Sequence, residues 1–119
     1  MIYRYGAAKA RVKLGRVADV CFDGPLSLDA VGWLGWSANA VICGDPKVVR
    51  VDKALFCFSR HATLDELANS GEGLYGAIVC RPDQMQTTRE FCALAAAVGV
   101  LRVAFLCPSL ALEWASGFA

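Results

Sequence analysis

The chain has 119 residues, of which 56% are hydrophobic and 19% charged, and its formal net charge is +1. This length suits a single domain over residues 1–119 and is too short for two ordinary domains. The hydrophobic content excludes an intrinsically disordered protein. The opening is basic, but Asp19 and Asp23 follow at once, so the charges predict a solvated strand face rather than the concentrated basic face of a nucleic-acid binder. We therefore expect no nucleic-acid partner.

The N-terminus, Met-Ile-Tyr-Arg-Tyr-Gly, lacks the apolar core of a secretory signal. The longest apolar stretches are far shorter than the ~20 residues that a membrane-spanning helix needs. We expect a cytoplasmic protein without a membrane partner.

Six cysteines are many for this length, and all have apolar neighbours. Free cysteine behaves as a small buried hydrophobe, so we expect all six in the core rather than in disulfides. None has the two- to four-residue spacing typical of zinc ligands, and His61 is the only histidine. The sequence predicts neither a metal site nor a cofactor.

The first predicted elements are two strands over residues 9–14 and 16–22, in which apolar residues alternate. Gly15 between them indicates a tight turn and an antiparallel hairpin, which we expect to end at residues 23–25, Asp-Gly-Pro.

A helix should follow, with Ser27 as its N-cap and Gly44 as its stop. Its expected buried stripe comprises Leu28, Val31, Gly35, Ala38 and Ile42. An alternative is a shorter helix that ends near Asn39, followed by a strand through residues 41–43. We favour the longer helix.

Residues 47–58 form a near-continuous apolar run, which predicts a central strand covered on both faces. Thr63 and Glu66 then form a capping box for a short helix that ends at residues 69–71. The glycine-containing stretch 71–73 lacks the residues of a phosphate-binding loop and is interpreted as a connector.

The last third predicts strand, helix, strand and helix, a spacing that suits a parallel crossover. The strands cover residues 75–80 and 100–106. Asp83 and Gln86 should cap the first helix, Gly99 should stop it, and Ser109 should cap a final helix through Trp114. The chain is thus predicted to be an α/β (α+β) protein, with a mixed four- to five-stranded sheet, an N-terminal hairpin and helices packed on the sheet.

Several stretches resemble the SpoIIAA-like (STAS-type) α/β domains and their small bacterial relatives. They are the hairpin end at residues 22–24, the Pro-Leu-Ser-Leu-Asp helix start, residues 77–84 (Ala-Ile-Val-Cys-Arg-Pro-Asp-Gln), and the strand 102–106 with its Trp114-bearing helix. The resemblance implies a regulatory module with a phosphorylation switch at a Ser after a central strand. Residues 59–63 occupy the comparable stretch, but the Asp-x-Ser and Ser-Gly-Leu-Gly patterns of the family are missing. Phosphorylation of Ser59 or Thr63 is therefore left open.

Candidate ligand-binding residues follow three predicted strands, where parallel sheets often bind ligands. Arginine, histidine and hydroxyl side chains next to helix N-termini could hold a phosphate or carboxylate. These residues are Ser59, Arg60, His61, Arg81 and Ser109. The competing interpretation, which we favour, makes Thr63, Asp83 and Ser109 simple helix caps and the arginines solvated side chains. No pattern identifies a catalytic residue, and His61 is interpreted as an ordinary loop histidine.

Trp33 and Trp36 lie one helical turn apart and outside the expected buried stripe. They could pack the helix onto the sheet or anchor a partner. The sequence thus favours a non-catalytic regulatory or protein-interaction module of SpoIIAA-like type, which we expect to be a homodimer and to have a possible further protein partner. The alternative is a small anionic-ligand binder or minor enzyme that uses the carboxyl edge of the sheet.

Overall fold

The computed structural model describes residues 1–42, 47–57, 76–97, 99 and 101–117. These residues form a mixed six-stranded sheet, whose strand order follows the sequence, and three α-helices. The strands are β1 (Ile2–Tyr5), β2 (Ala8–Lys13), β3 (Ala18–Leu26), β4 (Lys47–Phe56), β5 (Gly76–Val79) and β6 (Arg102–Phe105). The helices are α1 (Leu28–Val41), α2 (Met85–Ala97) and α3 (Pro108–Ser116). The α/β class is confirmed, with one strand more than the four to five predicted.

The predicted hairpin is formed by β2 and β3, which pair antiparallel with Lys13 opposite Asp19. As predicted, the pairing of the hairpin ends at Asp23, but β3 itself continues to Leu26. Pro25 is tolerated there since β2 pairs with β3 only as far as Asp23, so the missing N–H interrupts no bond between them. Gly24 has φ +86°, and a Cβ at this position would collide with the carbonyl of Ala7. The Asp-Gly-Pro stretch, which is typical of a turn, thus lies within a strand.

The strand missed by sequence reasoning is β1, which pairs antiparallel with β2 and forms one end of the sheet. It turns into β2 through Gly6, whose φ of +59° suits glycine. The sequence does not predict this strand because β1 has only four residues and no fully buried side chain. An edge strand of this kind lacks the apolar alternation from which strands are predicted.

The first helix begins as predicted, since the Ser27 hydroxyl accepts a hydrogen bond of 3.1 Å from the Ala30 amide. It runs to Val41, which confirms the longer of the two alternatives. The predicted stripe is partly wrong: Leu28 and Val31 are only half-buried. Three residues that share the inward face replace them, namely Ala30, Leu34 and Ser37. Trp33 and Trp36 are exposed, so of the two alternatives for them, packing onto the sheet is wrong.

The strands β3 to β6 are parallel, which confirms the predicted parallel arrangement of the last two. As predicted, β4 is central, between β3 and β5. One face of the sheet packs against α1 and α2 over a core that includes Phe22, Leu34 and Ile78. The other face packs against α3 through Val48, Val79, Ala111 and others. The helices on the two faces together cover the parallel strands.

Both predicted caps in the last third are wrong. A short 3-10 turn (Pro82–Gln84) precedes α2, and the Gln84 side chain, rather than Asp83, binds the preceding amide. The residue that caps α3 is Cys107, so Ser109 lies one position inside the helix. The predicted stop at Gly99 is confirmed by its φ of +83° and by its hydrogen bond to the Ala96 carbonyl.

The prediction that all cysteines are core residues is also wrong. Cys80 is buried, Cys21 and Cys92 are half-buried, and Cys57 and Cys107 are exposed. Cys57 directly follows β4 and Cys107 lies two residues after β6, where the apolar run of each strand continues into a loop. The predictions for Cys43, the helix stop at Gly44, the helix capped by Thr63 and the connector at 71–73 fall outside the described residues. The same is true of the predicted strand ends at Phe58 and Tyr75.

Candidate functional site

The predicted ligand site lies at the edge where β4, β5 and β6 end. Because these strands are parallel, their carboxyl ends share one edge of the sheet. Arg81 follows β5, and Ser109 lies in the first turn of the helix after β6. The structure therefore places both at this edge, whereas Ser59, Arg60 and His61 lie outside the described residues.

The Arg81 guanidinium is engaged by the protein itself. Its Nε donates to Asp83 Oδ1 over 3.0 Å, and its Nη1 donates to the backbone carbonyls of Asp52 and Ala54. The hydrogen bond from Arg81 holds the pKa of the Asp83 carboxyl below its usual value. The interpretation of Arg81 as a solvated side chain is thus wrong, and an added anion would compete with Asp83 for the same guanidinium.

Gln84 completes this arrangement from a buried position. Its Nε2 donates to the carbonyls of Val51 and Ala54 over 2.9 Å each, and its Oε1 accepts from the Arg81 amide over 2.9 Å. The pairing of β4 with β5 stops at Arg50, and β4 continues past this point. The carbonyls beyond it have no donor from β5, so they need side-chain donors. We name Arg81, Asp83 and Gln84 the β4 clamp.

A buried carboxylate oxygen at this edge disfavours an anion placed directly beside it. Asp52 Oδ1 is buried and has no hydrogen-bond partner within the described ranges. A carboxylate oxygen in this position repels phosphate or carboxylate groups. Among the described residues of this edge, Arg81 and Gln84 tie β5 and α2 to β4.

The Cys107 thiol at this edge also has a shifted pKa. It is exposed and occupies the cap position of α3, where hydrogen bonds from the backbone amides of Leu110 and Ser109 lower its pKa. Amides at a helix N-terminus stabilise a thiolate in this way. The contribution of Ser109 is therefore mainly its backbone N–H, and its side chain is exposed.

Thiol alkylation should detect the lowered pKa of Cys107. With iodoacetamide at neutral pH, we expect Cys107 to react first and to reach its maximal rate at a lower pH than an ordinary thiol, because the thiolate is the nucleophile. Cys92, whose pKa burial raises to about 11, should remain unmodified in the folded protein. Peptide mass spectrometry at each pH resolves the sites, and exposed Cys57 is the control for access. Equal rates for Cys92 and Cys107 would contradict the structure.

An apolar cavity of about 70 Å³ lies between the sheet and helices α1 and α2. Its walls are lined by Phe22, Leu26, Val31, Val49, Val51, Phe56, Ile78, Thr87, Thr88 and Phe91. Sites for small molecules usually measure about 300–1,000 Å³ and carry a few convergent polar groups. The Thr88 hydroxyl is already bound to the Gln84 carbonyl. We assign no ligand to this cavity.

Two cations are buried on the face that carries α1 and α2. Lys47 and Arg102 begin β4 and β6, and the strand register places them on either side of Gly76. The Arg102 guanidinium lies 4.6 Å from the centre of the Phe91 ring, a cation–π contact between β6 and α2. This contact accounts for part of the packing of α2.

Aromatic side chains are exposed at the opposite end of the sheet, beside β1. Trp36 is 73% exposed and Trp33 is 44% exposed, and the Trp33 ring lies 6.0 Å from the ring of Tyr5. We call Tyr5, Trp33 and Trp36 the aromatic surface. Sequence reasoning identified both tryptophans and missed Tyr5, for which the only available signal was its place in a four-residue stretch before Gly6.

No helix in the described ranges is long and apolar enough to cross a membrane. Within the same ranges, no group of three or more His, Cys, Asp or Glu side chains is placed to hold a metal ion. The chain matches no family model, no curated protein and no solved structure in the comparisons made.

Proposed function

We propose that this protein is a non-catalytic interaction module that binds protein through its aromatic surface. The observation that carries the proposal is the exposure of Trp33 and Trp36 on α1, beside Tyr5. Tryptophan is strongly enriched among the residues that dominate binding energy at interfaces. Large apolar side chains grouped on a surface typically mark such a contact.

The position of these residues in α1 favours binding over packing. The inward face of α1 is already filled by Ala30, Leu34 and Ala38, which are essentially inaccessible to solvent. Neither tryptophan is needed to cover the sheet. Their indole rings thus remain available to a partner, and the contact with Tyr5 holds one ring in place.

The competing proposal of an anionic-ligand site has weaker support. Among its residues in the described ranges, Arg81 is engaged in the β4 clamp and Ser109 is exposed. The proposed module is homodimeric, takes its regulatory type from the SpoIIAA-like resemblance, and acts in the cytoplasm. The free thiols of all five described cysteines support a reducing compartment.

Serine substitutions in the aromatic surface test the proposal. We expect Trp33→Ser and Trp36→Ser to weaken self-association by about tenfold or more each, since a central aromatic anchor contributes about 2 kcal/mol or more to binding. Sedimentation velocity over a range of protein concentrations measures the change. Thermal unfolding should be little affected, because neither side chain lies in the core.

Leu112→Ser is the matched control, because Leu112 is a similarly exposed apolar residue on α3. It should leave self-association unchanged. If the two Trp variants associate as the unchanged protein does, and Leu112→Ser weakens association instead, the aromatic surface is not the interface and the proposal fails.

A further inference from the structure

The backbone of β1 has one free edge in the described structure, and its hydrogen-bond pattern can be read residue by residue. The Met1 nitrogen donates to the Val12 carbonyl over 3.1 Å, and the Val12 amide donates back to the Met1 carbonyl over 2.8 Å. In an antiparallel pair, such bonded residues alternate with residues whose polar groups point away. The amides and carbonyls of Ile2 and Arg4 therefore point outward from the sheet.

From this edge, and resting on the interaction function proposed above, we infer that the partner is a second copy of this chain, paired antiparallel along β1. The outward groups of Ile2 bond to those of Arg4 in the partner, and Tyr3 faces the partner's Tyr3 on the two-fold axis. This register uses every outward backbone group of β1. The two sheets then join into one continuous sheet.

Charge selects this register over its neighbours. A shift that places Arg4 opposite the partner's Arg4 brings two guanidinium groups together, which is unfavourable for a directly opposed pair. A shift the other way pairs Ile2 with the partner's Ile2 and leaves the outward groups of Arg4 beyond the end of the partner's β1. Only the register centred on Tyr3 avoids both faults.

The same symmetry brings the aromatic surfaces together. An antiparallel pairing of two edge strands has its two-fold axis perpendicular to the sheet, so both copies of α1 lie on the same face. Tyr3 and Tyr5 lie on the α1 face, since they stand opposite the core residues Ala10 and Ala8 of β2. Each α1 lies over β1, so Trp33 and Trp36 flank the axis and cover the joined strands.

Proline substitution tests the edge without disturbing the fold. Ile2→Pro and Arg4→Pro each remove an outward N–H and leave the bonds between β1 and β2 intact, because those bonds use Met1, Tyr3 and Tyr5. We expect each to weaken dimerisation at least about tenfold, or about 1.4 kcal/mol. Ile2→Val is the control and should dimerise normally. Circular dichroism and thermal unfolding verify that each variant is folded.

Crosslinking tests the register itself. In a background with the exposed Cys57→Ser and Cys107→Ser changes, Tyr3→Cys places two thiols across the axis, at the about 4.5 Å Cα separation of a non-hydrogen-bonded pair. This separation suits a disulfide. Tyr5→Cys is the control, because the partner's residue 5 is then roughly 13 Å away along the strands. We expect oxidation to yield a covalent dimer from Tyr3→Cys alone.

The outcomes separate this inference from the proposed function. Monomeric variants at Ile2 and Arg4, together with the Tyr3→Cys crosslink, support the paired edge. A chain that is monomeric at all concentrations overturns the pairing. Dimers that persist in both proline variants but are lost in Trp33→Ser overturn the pairing while leaving the aromatic surface as the interface. Dimers that need the β1 edge but tolerate both Trp variants support the pairing and refute the proposed role of the aromatic surface.

Discussion

Gly76→Ala should destabilise the protein by about 4 kcal/mol or more, a large share of the 5–15 kcal/mol that stabilises a typical domain. Two effects combine at this position. The φ of +101° is a backbone conformation that L-residues rarely adopt, and a Cβ would collide with the backbone carbonyl of Lys47. The neighbouring atom belongs to the backbone of central β4, so it has little freedom to move away. Urea denaturation measures the loss as a lower midpoint.

Gly99→Ala is the matched control for this prediction. Gly99 also has a positive φ, of +83°, but a Cβ there would meet nothing within 4 Å. The variant should therefore show only the backbone strain, about 1–2 kcal/mol. If the two substitutions cost the same, the close approach of β5 to Lys47 is refuted.

We expect Gln84→Ala to lower the free energy of unfolding by about 3 kcal/mol, a large effect for a single polar side chain. The substitution takes a donor from the carbonyls of Val51 and Ala54 and an acceptor from the Arg81 amide. Each buried polar group left unpaired costs about 1–3 kcal/mol. Arg81 still reaches the Ala54 carbonyl, which keeps the total below the sum of all three losses. Chemical denaturation of the variant gives the value.

Gln86→Ala is a suitable control, since Gln86 lies two residues further along, in the first turn of α2, and is exposed. It should change stability by no more than about 0.5 kcal/mol, as exposed substitutions usually do. A Gln84→Ala variant as stable as Gln86→Ala would show that the β4 clamp does not hold β5 and α2 to β4.

The carboxyl edge of the sheet and the region beside β1 thus have different roles. At the carboxyl edge of β4 and β5, polar side chains that resemble a ligand site satisfy backbone groups of the protein itself. Beside β1, backbone groups and aromatic rings remain exposed. Polar residues that look like a binding site can thus serve to hold the fold together. The surface available to a partner can instead be one with few charged residues.

Local sequence signals predicted what depends on neighbouring residues. The Ser27 cap, the Gly99 stop and the turn between β2 and β3 were all predicted, because each involves residues within a few positions of one another. Helical spacing also placed Trp33 and Trp36 outside the buried stripe, although it left open whether they pack onto the sheet or are exposed. For the candidate site, sequence placed Arg81 and Ser109 correctly at the carboxyl ends of β5 and β6.

The chemistry of those residues could not be predicted, because it depends on distant parts of the chain. Arg81 binds carbonyls 27 and 29 residues away, and only the overrun of β4 past β5 exposes them. The N-cap of α3 is Cys107 because the helix begins at Pro108, one residue before the predicted cap.

By itself, the sequence determined the α/β class, the hairpin, the central strand and the start of α1, since periodicity, capping and turn chemistry are local properties. The tertiary structure alone decided that residues 2–5 form an edge strand, that β3 passes through Pro25, and that Lys47 and Arg102 are buried beside Gly76. It also decided which exposed groups stand together. Strand pairing brings together residues that no local pattern connects, and Tyr5 joins Trp33 only because β1 lies beneath α1.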